Sequence, residues 1–378
     1  MPRTLLALPA PTVTPAQLRA ALDGSGPALL PTAAGTAGQQ LVAAMRPDEP
    51  LEYDDVALVV PTSGSTGEPK GVLLRAPALA ASATATHERL GGAGQWLLAL
   101  PLTHIAGLQV LVRSLLADTD AVLMRSGPFS CTAFVAATEA LGSGRRYTSL
   151  VPTQLLRLVD DAAGRESLAS YDAVLVGGAA TPPALLFRAR EAGIRVVATY
   201  GMSETCGGCV YDGVPLSGVG ASFDDVGRIR LSGPTIAAGY RLRPDLTRAA
   251  FGPAGFTTND LGRWDEQGRL EVLGRADDII ISGGENIAPT AVVAVLAAHP
   301  AVAEVVVLGA PDPEWGERVI AVVRLHDGAV LALDDAREHV ASGLSKVAAP
   351  REVHVLDALP LLASGKPDRA LLKARFAR

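Results

Sequence analysis

The stretch from Thr62 to Gly71 combines glycines, hydroxyl side chains and one lysine. Its glycine, hydroxyl and lysine residues before Gly71 are Thr62, Ser63, Gly64, Ser65, Thr66, Gly67 and Lys70. Glycines let backbone N–H groups approach an anion closely, and hydroxyls and a lysine add further donors. Because apolar runs at 56–60 and 71–74 flank the stretch, we expect it to join two buried strands. The pattern therefore predicts a loop that cradles a phosphate group.

This loop differs from two common phosphate-binding loops. A Walker loop would need glycine where Pro69 stands, and a dinucleotide-binding turn would need its second glycine where Thr66 stands. The alternative interpretation of the stretch alone is a Gly/Ser-rich surface turn without a ligand. The choice between the two interpretations depends on the rest of the chain.

Further polar motifs follow downstream. Residues 200–205 read Tyr-Gly-Met-Ser-Glu-Thr directly after a predicted strand, and Asp260 lies in Thr-Thr-Asn-Asp-Leu-Gly. Residues 274–287 contain Gly-Arg-Ala-Asp-Asp, an apolar run and a Gly-Gly pair, and Lys366 stands between a glycine and a proline. Each motif alone also has an ordinary interpretation as a loop, a turn-forming aspartate or a solvated lysine.

The elements that position these motifs alternate between strand and helix over residues 96–199. Such alternation predicts a parallel, doubly wound sheet, whose ligands bind beyond the carboxyl ends of the strands. The pairs 177–178 and 200–201 fall at such ends. Residues 219–274 carry short strands with Gly/Pro turns, which predicts a small antiparallel sheet or barrel, and a separate α/β unit follows Arg275.

In their order and spacing, these motifs resemble the adenylate-forming superfamily, which includes acyl- and aryl-CoA ligases, luciferases and adenylation domains of peptide synthetases. The resemblance covers residues 50–378. It implies an α/β fold in which residues 1–275 form a large N-terminal domain with doubly wound sheets and a small β-barrel-like part. Residues 276–378 would form a small, mobile α+β domain, with the active site between the two. The phosphate loop lies nearer the N-terminus than is usual in the family, which implies a shortened N-terminal subdomain.

The resemblance also implies where a nucleotide would bind. The loop 62–70 would hold the phosphates of ATP. The other expected contacts are Gly178 and Ala179 along the adenine, Tyr200 stacked on it, Asp260 at the ribose with help from Arg275, Glu204 on Mg²⁺, and Thr205 on a phosphate.

The remaining roles that the resemblance implies concern the acid, CoA and domain motion. These expected roles fall to Lys366 in adenylation, Asp277 as the hinge, Gly283 and Gly284 at coenzyme A, and His104, Gly201 and Ser203 beside the acyl substrate. A carboxylate would attack the α-phosphorus of ATP to give an acyl-adenylate and pyrophosphate. The CoA thiolate would then expel AMP, with Lys366 and Mg²⁺ offsetting negative charge in the first step.

The expected substrate is o-succinylbenzoate. The stretch from Tyr200 to Asp212, with residues 206–213 after Ser-Glu-Thr, and the short chain resemble the compact actinobacterial o-succinylbenzoate–CoA ligases of menaquinone biosynthesis. This substrate carries a second carboxylate that needs donors, for which His104 is the first candidate and Arg157 the second. The alternatives are a ligase for another aryl or short-chain acid, an enzyme that loads an acid onto a carrier protein, and a non-catalytic relative.

The overall composition limits the partners of the chain. It has 378 residues, a formal net charge of −6, and three cysteines. The acidic balance argues against nucleic acid, and no apolar run approaches the roughly 18 residues of a membrane helix. Three cysteines cannot form a disulfide framework. We therefore expect a cytoplasmic enzyme with small-molecule partners and no membrane insertion, and a homodimer stays open.

Overall fold

The computed structural model describes residues 3–63, 69–124, 127–362 and 366–377. The strands are β1 (Leu5–Pro9), β2 (Ala28–Thr32), β3 (Val56–Ser63), β4 (Pro69–Arg75), β5 (Gln95–Leu98), β6 (Val122–Leu123), β7 (Arg146–Leu150), β8 (Ala173–Val176), β9 (Val196–Met202), β10 (Gly207–Tyr211), β11 (Val214–Pro215), β12 (Gly220–Phe223), β13 (Arg228–Ser232), β14 (Gly239–Tyr240), β15 (Phe251–Gly252), β16 (Gly255–Trp264), β17 (Leu270–Arg275), β18 (Ile280–Ser282), β19 (Glu285–Ile287), β20 (Val302–Asp312), β21 (Gly316–Leu325) and β22 (Glu352–Val355).

The helices connect and cover these strands. They are α1 (Pro15–Asp23), α2 (Thr36–Met45), α3 (Ala76–Arg89), α4 (Ile105–Leu116), α5 (Cys131–Glu139), α6 (Pro152–Asp160), α7 (Ala162–Ala169), α8 (Pro183–Glu191), α9 (Pro244–Ala250), α10 (Pro289–Leu296), α11 (Leu333–Gly343) and α12 (Arg369–Phe376). Short 3₁₀ turns occur at Ala10–Thr12, Ser203–Thr205 and Ala276–Asp278. Over the described ranges, no helix is both long and apolar enough to span a membrane.

The predicted doubly wound sheet is the largest sheet of the fold. Its strand order is β11-β10-β9-β8-β7-β5-β6, and the strands from β6 to β9 are parallel. Successive residues of β8 enter opposite cores: Leu175 packs with α3 and α4 residues, whereas Val176 packs with α6 residues. Helices therefore cover both faces, as a parallel sheet requires.

A second sheet has the order β1-β2-β3-β4-β14 and carries the hairpin of β3 and β4. The predicted small β-rich part is an antiparallel sheet, ordered β12-β13-β16-β15, with β17 paired to β16. The last sheet is ordered β19-β18-β21-β20, with β22 paired to β21. This mixed arrangement confirms the predicted α/β fold.

The hydrophobic cores separate near the predicted domain boundary. Two clusters consist of residues from Ile280 onward, and the other clusters consist of residues up to Leu270. Within the described part of the chain, no cluster combines residues from both sides. This separation agrees with a boundary at residue 275, which stays a prediction.

Candidate active site

The hairpin of β3 and β4 positions Thr62 and Lys70 opposite each other. The Thr62 hydroxyl donates to the Lys70 carbonyl over 3.5 Å. The predicted phosphate-loop residues Gly64, Ser65, Thr66 and Gly67, and the side chain of Ser63, lie outside the described residues. The Nζ of Lys70 lies 5.4 Å from the ring centroid of Tyr240.

Glu204 follows β9, in the 3₁₀ turn Ser203–Thr205 at the edge of the large sheet. The Tyr240 hydroxyl donates to its Oε1 over 2.9 Å. Burial raises the pKa of Glu204, whereas the Tyr240 hydrogen bond and the charges of Lys70 and Arg275 act in the opposite direction. A raised pKa in a half-buried carboxylate indicates a group that gains from a neighbouring cation.

A magnesium ion fits this position only together with a nucleotide. In the residues that the structure describes, no group of three or more His, Cys, Asp or Glu side chains could hold a metal. Mg²⁺ at nucleotides usually takes one or two protein carboxylates, and phosphate and water oxygens complete its octahedron. Glu204 can supply such a carboxylate.

Thr205 is fully buried, and its hydroxyl closes the turn that carries Glu204. Its Oγ1 accepts the N–H of Met202 over 2.9 Å and contacts the Gly207 carbonyl over 2.7 Å. In this arrangement the hydroxyl supports the turn. Because the hydroxyl has a single hydrogen, a phosphate contact by Thr205 would require that hydrogen to leave the Gly207 carbonyl. Ser203, one residue before Glu204, is also buried.

Tyr200, Asp260 and Arg275 form one connected group. The Tyr200 hydroxyl donates to Asp260 Oδ2 over 2.8 Å, and an Arg275 nitrogen lies 3.9 Å from Asp260 Oδ1. The pairing of β16 with β17 sets Asp260 directly opposite Arg275. Burial raises the pKa of Asp260, and burial followed by the Asp260 charge raises the pKa of Tyr200. The structure thus brings Tyr200, predicted for the adenine, together with Asp260 and Arg275, predicted for the ribose.

Asp277, the predicted hinge, lies in the 3₁₀ turn that follows β17. Both of its carboxylate oxygens accept hydrogen bonds from the Arg275 guanidinium, each over 2.8 Å. The Arg275 hydrogen bonds lower the pKa of Asp277. Next to this turn, the Thr290 hydroxyl of α10 donates to the carbonyl of Leu273 in β17. These contacts cross the predicted boundary and hold the observed arrangement.

Lys366 reaches the end of β8. A Cβ added to Gly178 would lie 3.0 Å from Lys366 Cε and 3.4 Å from its Nζ. Gly178 has φ +81°, and both it and Ala179 are exposed at this sheet edge. Burial lowers the pKa of Lys366. The Lys366 side chain, from the C-terminal part of the chain, therefore lies against the backbone of Gly178, where the adenine is predicted to bind.

His104 precedes α4 and lies near Lys366. Part of the residue faces solvent, yet desolvation lowers the pKa of its imidazole, and the charge of Lys366 adds to this effect. Gly201 has φ +159°, and a Cβ on it would lie 2.1 Å from the Gly207 carbonyl oxygen. Only glycine fits at Gly201, and this close approach leaves the predicted acyl side without a side chain there.

Gly283 and Gly284 form the turn between β18 and β19. A Cβ on Gly283 would lie 2.7 Å from the Trp315 ring, and Arg351 stacks over that ring at 4.1 Å. In the contacts that the structure gives, Gly283 therefore lies against its own C-terminal part. Lys366 belongs to the same part of the chain but lies against Gly178 of the N-terminal part.

The sequence analysis did not single out Arg113, a buried cation on α4 that is 3% exposed. One of its guanidinium nitrogens donates to the Tyr211 hydroxyl over 3.4 Å, and the group lies 4.9 Å from the Trp96 ring. Burial lowers its pKa, and its Nε has no hydrogen-bond partner in the structure. Arg157, by contrast, is exposed on α6. A charged residue inside the apolar run 105–116 was the available sequence signal.

Comparisons with known proteins agree with this geometry. A sequence profile of AMP-binding enzymes matches residues 10–233, and a profile of the AMP-binding enzyme C-terminal domain matches residues 292–366. The chain is 49% identical to a Mycobacterium tuberculosis protein named "Probable 2-succinylbenzoate–CoA ligase", over 99% of this chain and 96% of that relative. It is 36% identical to a sulfoacetate–CoA ligase of Cupriavidus necator, over 87% of this chain and 69% of that relative.

A solved structure also matches nearly the whole chain. It is the o-succinylbenzoate CoA synthetase of Bacillus subtilis in complex with its acyl-adenylate intermediate. The TM-score is 0.75 at 30% identity, and the match covers 98% of this chain and 83% of the other. The chain is therefore a member of the AMP-binding enzyme family, the adenylate-forming enzymes whose motifs its sequence carries.

Proposed function

We propose that this protein is an ATP-dependent ligase that converts 2-succinylbenzoate into its CoA thioester through an acyl-adenylate. The position of Lys366 against Gly178 carries the proposal, because it places a desolvated cation where the nucleotide is expected. Glu204 and Lys70 both contact Tyr240, which joins them into one group. The arrangement suits a reaction that develops negative charge on phosphate oxygens.

In the first half-reaction a carboxylate oxygen of the acid attacks the α-phosphorus of ATP, and pyrophosphate leaves. Lys366 offsets the charge that develops on the α-phosphate, and Lys70 binds the departing phosphates. Mg²⁺ held by Glu204 would add positive charge at the phosphate oxygens. Asp260, oriented by Tyr200, accepts hydrogen bonds from the ribose hydroxyls.

In the second half-reaction the CoA thiolate attacks the acyl carbon, the acyl–oxygen bond breaks, and AMP leaves. Lys366 is not needed at this step, so the C-terminal part can turn about Asp277 and present Gly283 and Gly284 instead. Trp315 and Arg351 flank this turn and offer an apolar and cationic surface to CoA. In this proposal the small C-terminal domain alternates between two positions, one for each half-reaction. The reaction occurs in the cytoplasm.

Arg113 supports the choice of a dicarboxylic acid. The structure gives it one hydroxyl acceptor and an aromatic ring but no carboxylate, although a buried cation is costly without a partner. Gln109, one helical turn earlier, lies 3.5 Å from where a Gly207 Cβ would stand, so α4 faces the glycine-lined acyl side. We assign Arg113 to the ring carboxylate of the substrate, with His104 nearer the activated one.

The test measures AMP release with CoA present for 2-succinylbenzoate, benzoate, salicylate, sulfoacetate and fatty acids. The matched control acid is 4-oxo-4-phenylbutanoate, which lacks only the ring carboxylate. We expect 2-succinylbenzoate to have the highest kcat/KM. Another acid with a higher value would refute the substrate, and AMP or pyrophosphate release without acylated CoA would favour a carrier-protein acceptor.

The variant Arg113→Met sharpens this test. Losing a charge-assisted bond to a buried carboxylate should lower kcat/KM for 2-succinylbenzoate about 10²-fold and leave the control acid within about threefold. The variant loses one long hydrogen bond and the contact with Trp96, but it also removes the cost of burying a charge without a carboxylate, so the melting temperature of the free protein should be kept or raised. Equal losses with both acids would remove Arg113 from the substrate site.

A further inference from the structure

Tyr240 contacts both charged groups of the proposed nucleotide site. Its hydroxyl donates to Glu204 Oε1 over 2.9 Å, and Lys70 Nζ lies 5.4 Å from the centroid of its ring. We propose that Tyr240 is a positioning residue that holds Glu204 and Lys70 apart and aims the carboxylate at the Mg²⁺ of the nucleotide. This inference rests on the proposed function and adds a residue to it.

The backbone fixes Tyr240 between the strand of Lys70 and the turn of Glu204. Strand β14 pairs with β4, with Tyr240 opposite Val72. Just before β14, the N–H of Ala237 donates to the Glu204 carbonyl over 2.8 Å. The short segment therefore bonds to both elements that carry the charges. A shift of either element would move the ring with it.

Side-chain contacts restrict the ring further. Tyr240 is buried, and its ring packs edge-on against Phe251 at 5.4 Å. Its N–H donates to the Thr247 hydroxyl over 2.9 Å. A phenolic hydroxyl is protonated at neutral pH, so it can donate to the carboxylate. The hydroxyl thus points one fixed hydrogen at the carboxylate.

The physical reason for such a spacer is the attraction between its two neighbours. Lys70 and Glu204 carry opposite charges, and a direct ion pair would neutralise both. A neutralised Lys70 would bind phosphate weakly, and a neutralised Glu204 would bind the metal weakly. With Tyr240 present, the Lys70 ammonium contacts the face of the ring, and the Glu204 carboxylate accepts a hydrogen bond from the hydroxyl. Without Tyr240, the Glu204 side chain would also lose rotamer freedom on binding the metal, and its hydrogen bond to the Tyr240 hydroxyl removes part of that cost.

The test compares binding of α,β-methylene-ATP with Mg²⁺ and with EDTA, by calorimetry on the full chain. The variants are Tyr240→Phe and Tyr240→Leu. The matched control is Tyr171→Phe, which removes a buried hydroxyl bonded to Thr138 over 2.7 Å in another core. We expect Tyr240→Phe to reduce the gain in affinity from Mg²⁺ about tenfold, with the affinity in EDTA unchanged. Tyr240→Leu should weaken binding in both media, and Tyr171→Phe should change neither.

Two outcomes would overturn the inference. In the first, Mg²⁺ raises the nucleotide affinity of Tyr240→Phe as much as it raises that of the wild type. In the second, Tyr240→Phe lowers the nucleotide affinity equally with Mg²⁺ and with EDTA, which would indicate a general effect on folding. If Tyr240→Leu does not fold, Tyr240→Phe still decides, because it keeps the ring. The assay needs no acid, so a failure here is distinct from a failure of the substrate panel. A wild-type protein that binds no nucleotide would instead refute the proposed function.

Discussion

The methyl group added by Gly178→Ala would press on Lys366 from the nucleotide side. Gly178 has φ +81°, and the new Cβ would lie 3.0 Å from Lys366 Cε. A left-handed conformation costs a non-glycine residue about 1–2 kcal/mol. Since the lysine chain is flexible, it can give way by a few tenths of an ångström. The charge then leaves the position that the adenylation step requires.

The expected loss is intermediate between no effect and loss of the charge itself. Removing one preorganised charge with Lys366→Ala should slow adenylation about 10²–10³-fold. A displaced but present Lys366 should slow it about tenfold, or about 1.4 kcal/mol. In the Lys366→Ala background the methyl has no side chain to displace, so adding Gly178→Ala should cost little more. The two effects should therefore be strongly non-additive.

Two assays measure this cycle. Pyrophosphate release from ATP and 2-succinylbenzoate reports adenylation, and CoA thioester formation from pre-made acyl-adenylate reports the second step. All three variants should keep the second step within about threefold, because Lys366 is not needed there. Additive losses in the double variant, or equal losses in both assays, would show that Gly178 acts on the nucleotide or the fold and not through Lys366.

Three further changes test other parts of the structure. Burial, followed by the charge of Arg113, lowers the pKa of His87 to about 4, so the folded state resists protonation of this imidazole. The contribution of neutral His87 to stability is therefore complete above pH 6.5, and the free energy of unfolding should fall by about 3 kcal/mol towards pH 4. Urea titrations at several pH values should show that His87→Gln removes this fall in the free energy of unfolding. The same fall between pH 6.5 and pH 4 in the variant and the wild type would contradict the role of His87. Arg241 donates to four carbonyls and to Glu52, so Arg241→Lys should cost about 3 kcal/mol in the same titrations, whereas a cost below about 1 would contradict that role. Asp277→Pro should lock the hinge, keep adenylation and lower thioester formation, and unchanged turnover would place the hinge elsewhere.

The strand–helix alternation was sufficient to predict the large parallel sheet. Glu204 follows β9 and Gly178 follows β8, because parallel strands end at one edge, whereas Tyr200 was expected after β9 and lies inside it, since the strand continues to Met202. The short antiparallel strands of residues 219–274 were predicted too, although a register shift between Leu261 and Gly262 lies beside the pairing of Asp260 with Arg275. These placements depend on local periodicity, which a sequence carries.

Other placements depend on tertiary contacts that periodicity does not encode. Tyr240 reaches Glu204 because a two-residue strand pairs with β4, and such a strand is too short for a pattern. Arg113 lies in an apolar helix, where spacing alone does not say which side chains face a ligand. The family resemblance implies a phosphate contact for Thr205, which stays a prediction, and the bonds of its hydroxyl within its own turn were not predictable from the sequence pattern.

An isotope experiment tests the proposed reaction path most directly. The protein is given ATP, CoA and 2-succinylbenzoate labelled with ¹⁸O in both oxygens of the aliphatic carboxylate, and the phosphate products are analysed by mass spectrometry. Attack on the α-phosphorus, followed by thiolate attack on the acyl carbon, predicts one ¹⁸O atom in AMP and unlabelled pyrophosphate. Label in inorganic phosphate, with ADP as the other product, would contradict the acyl-adenylate and the roles assigned to Lys366 and Glu204.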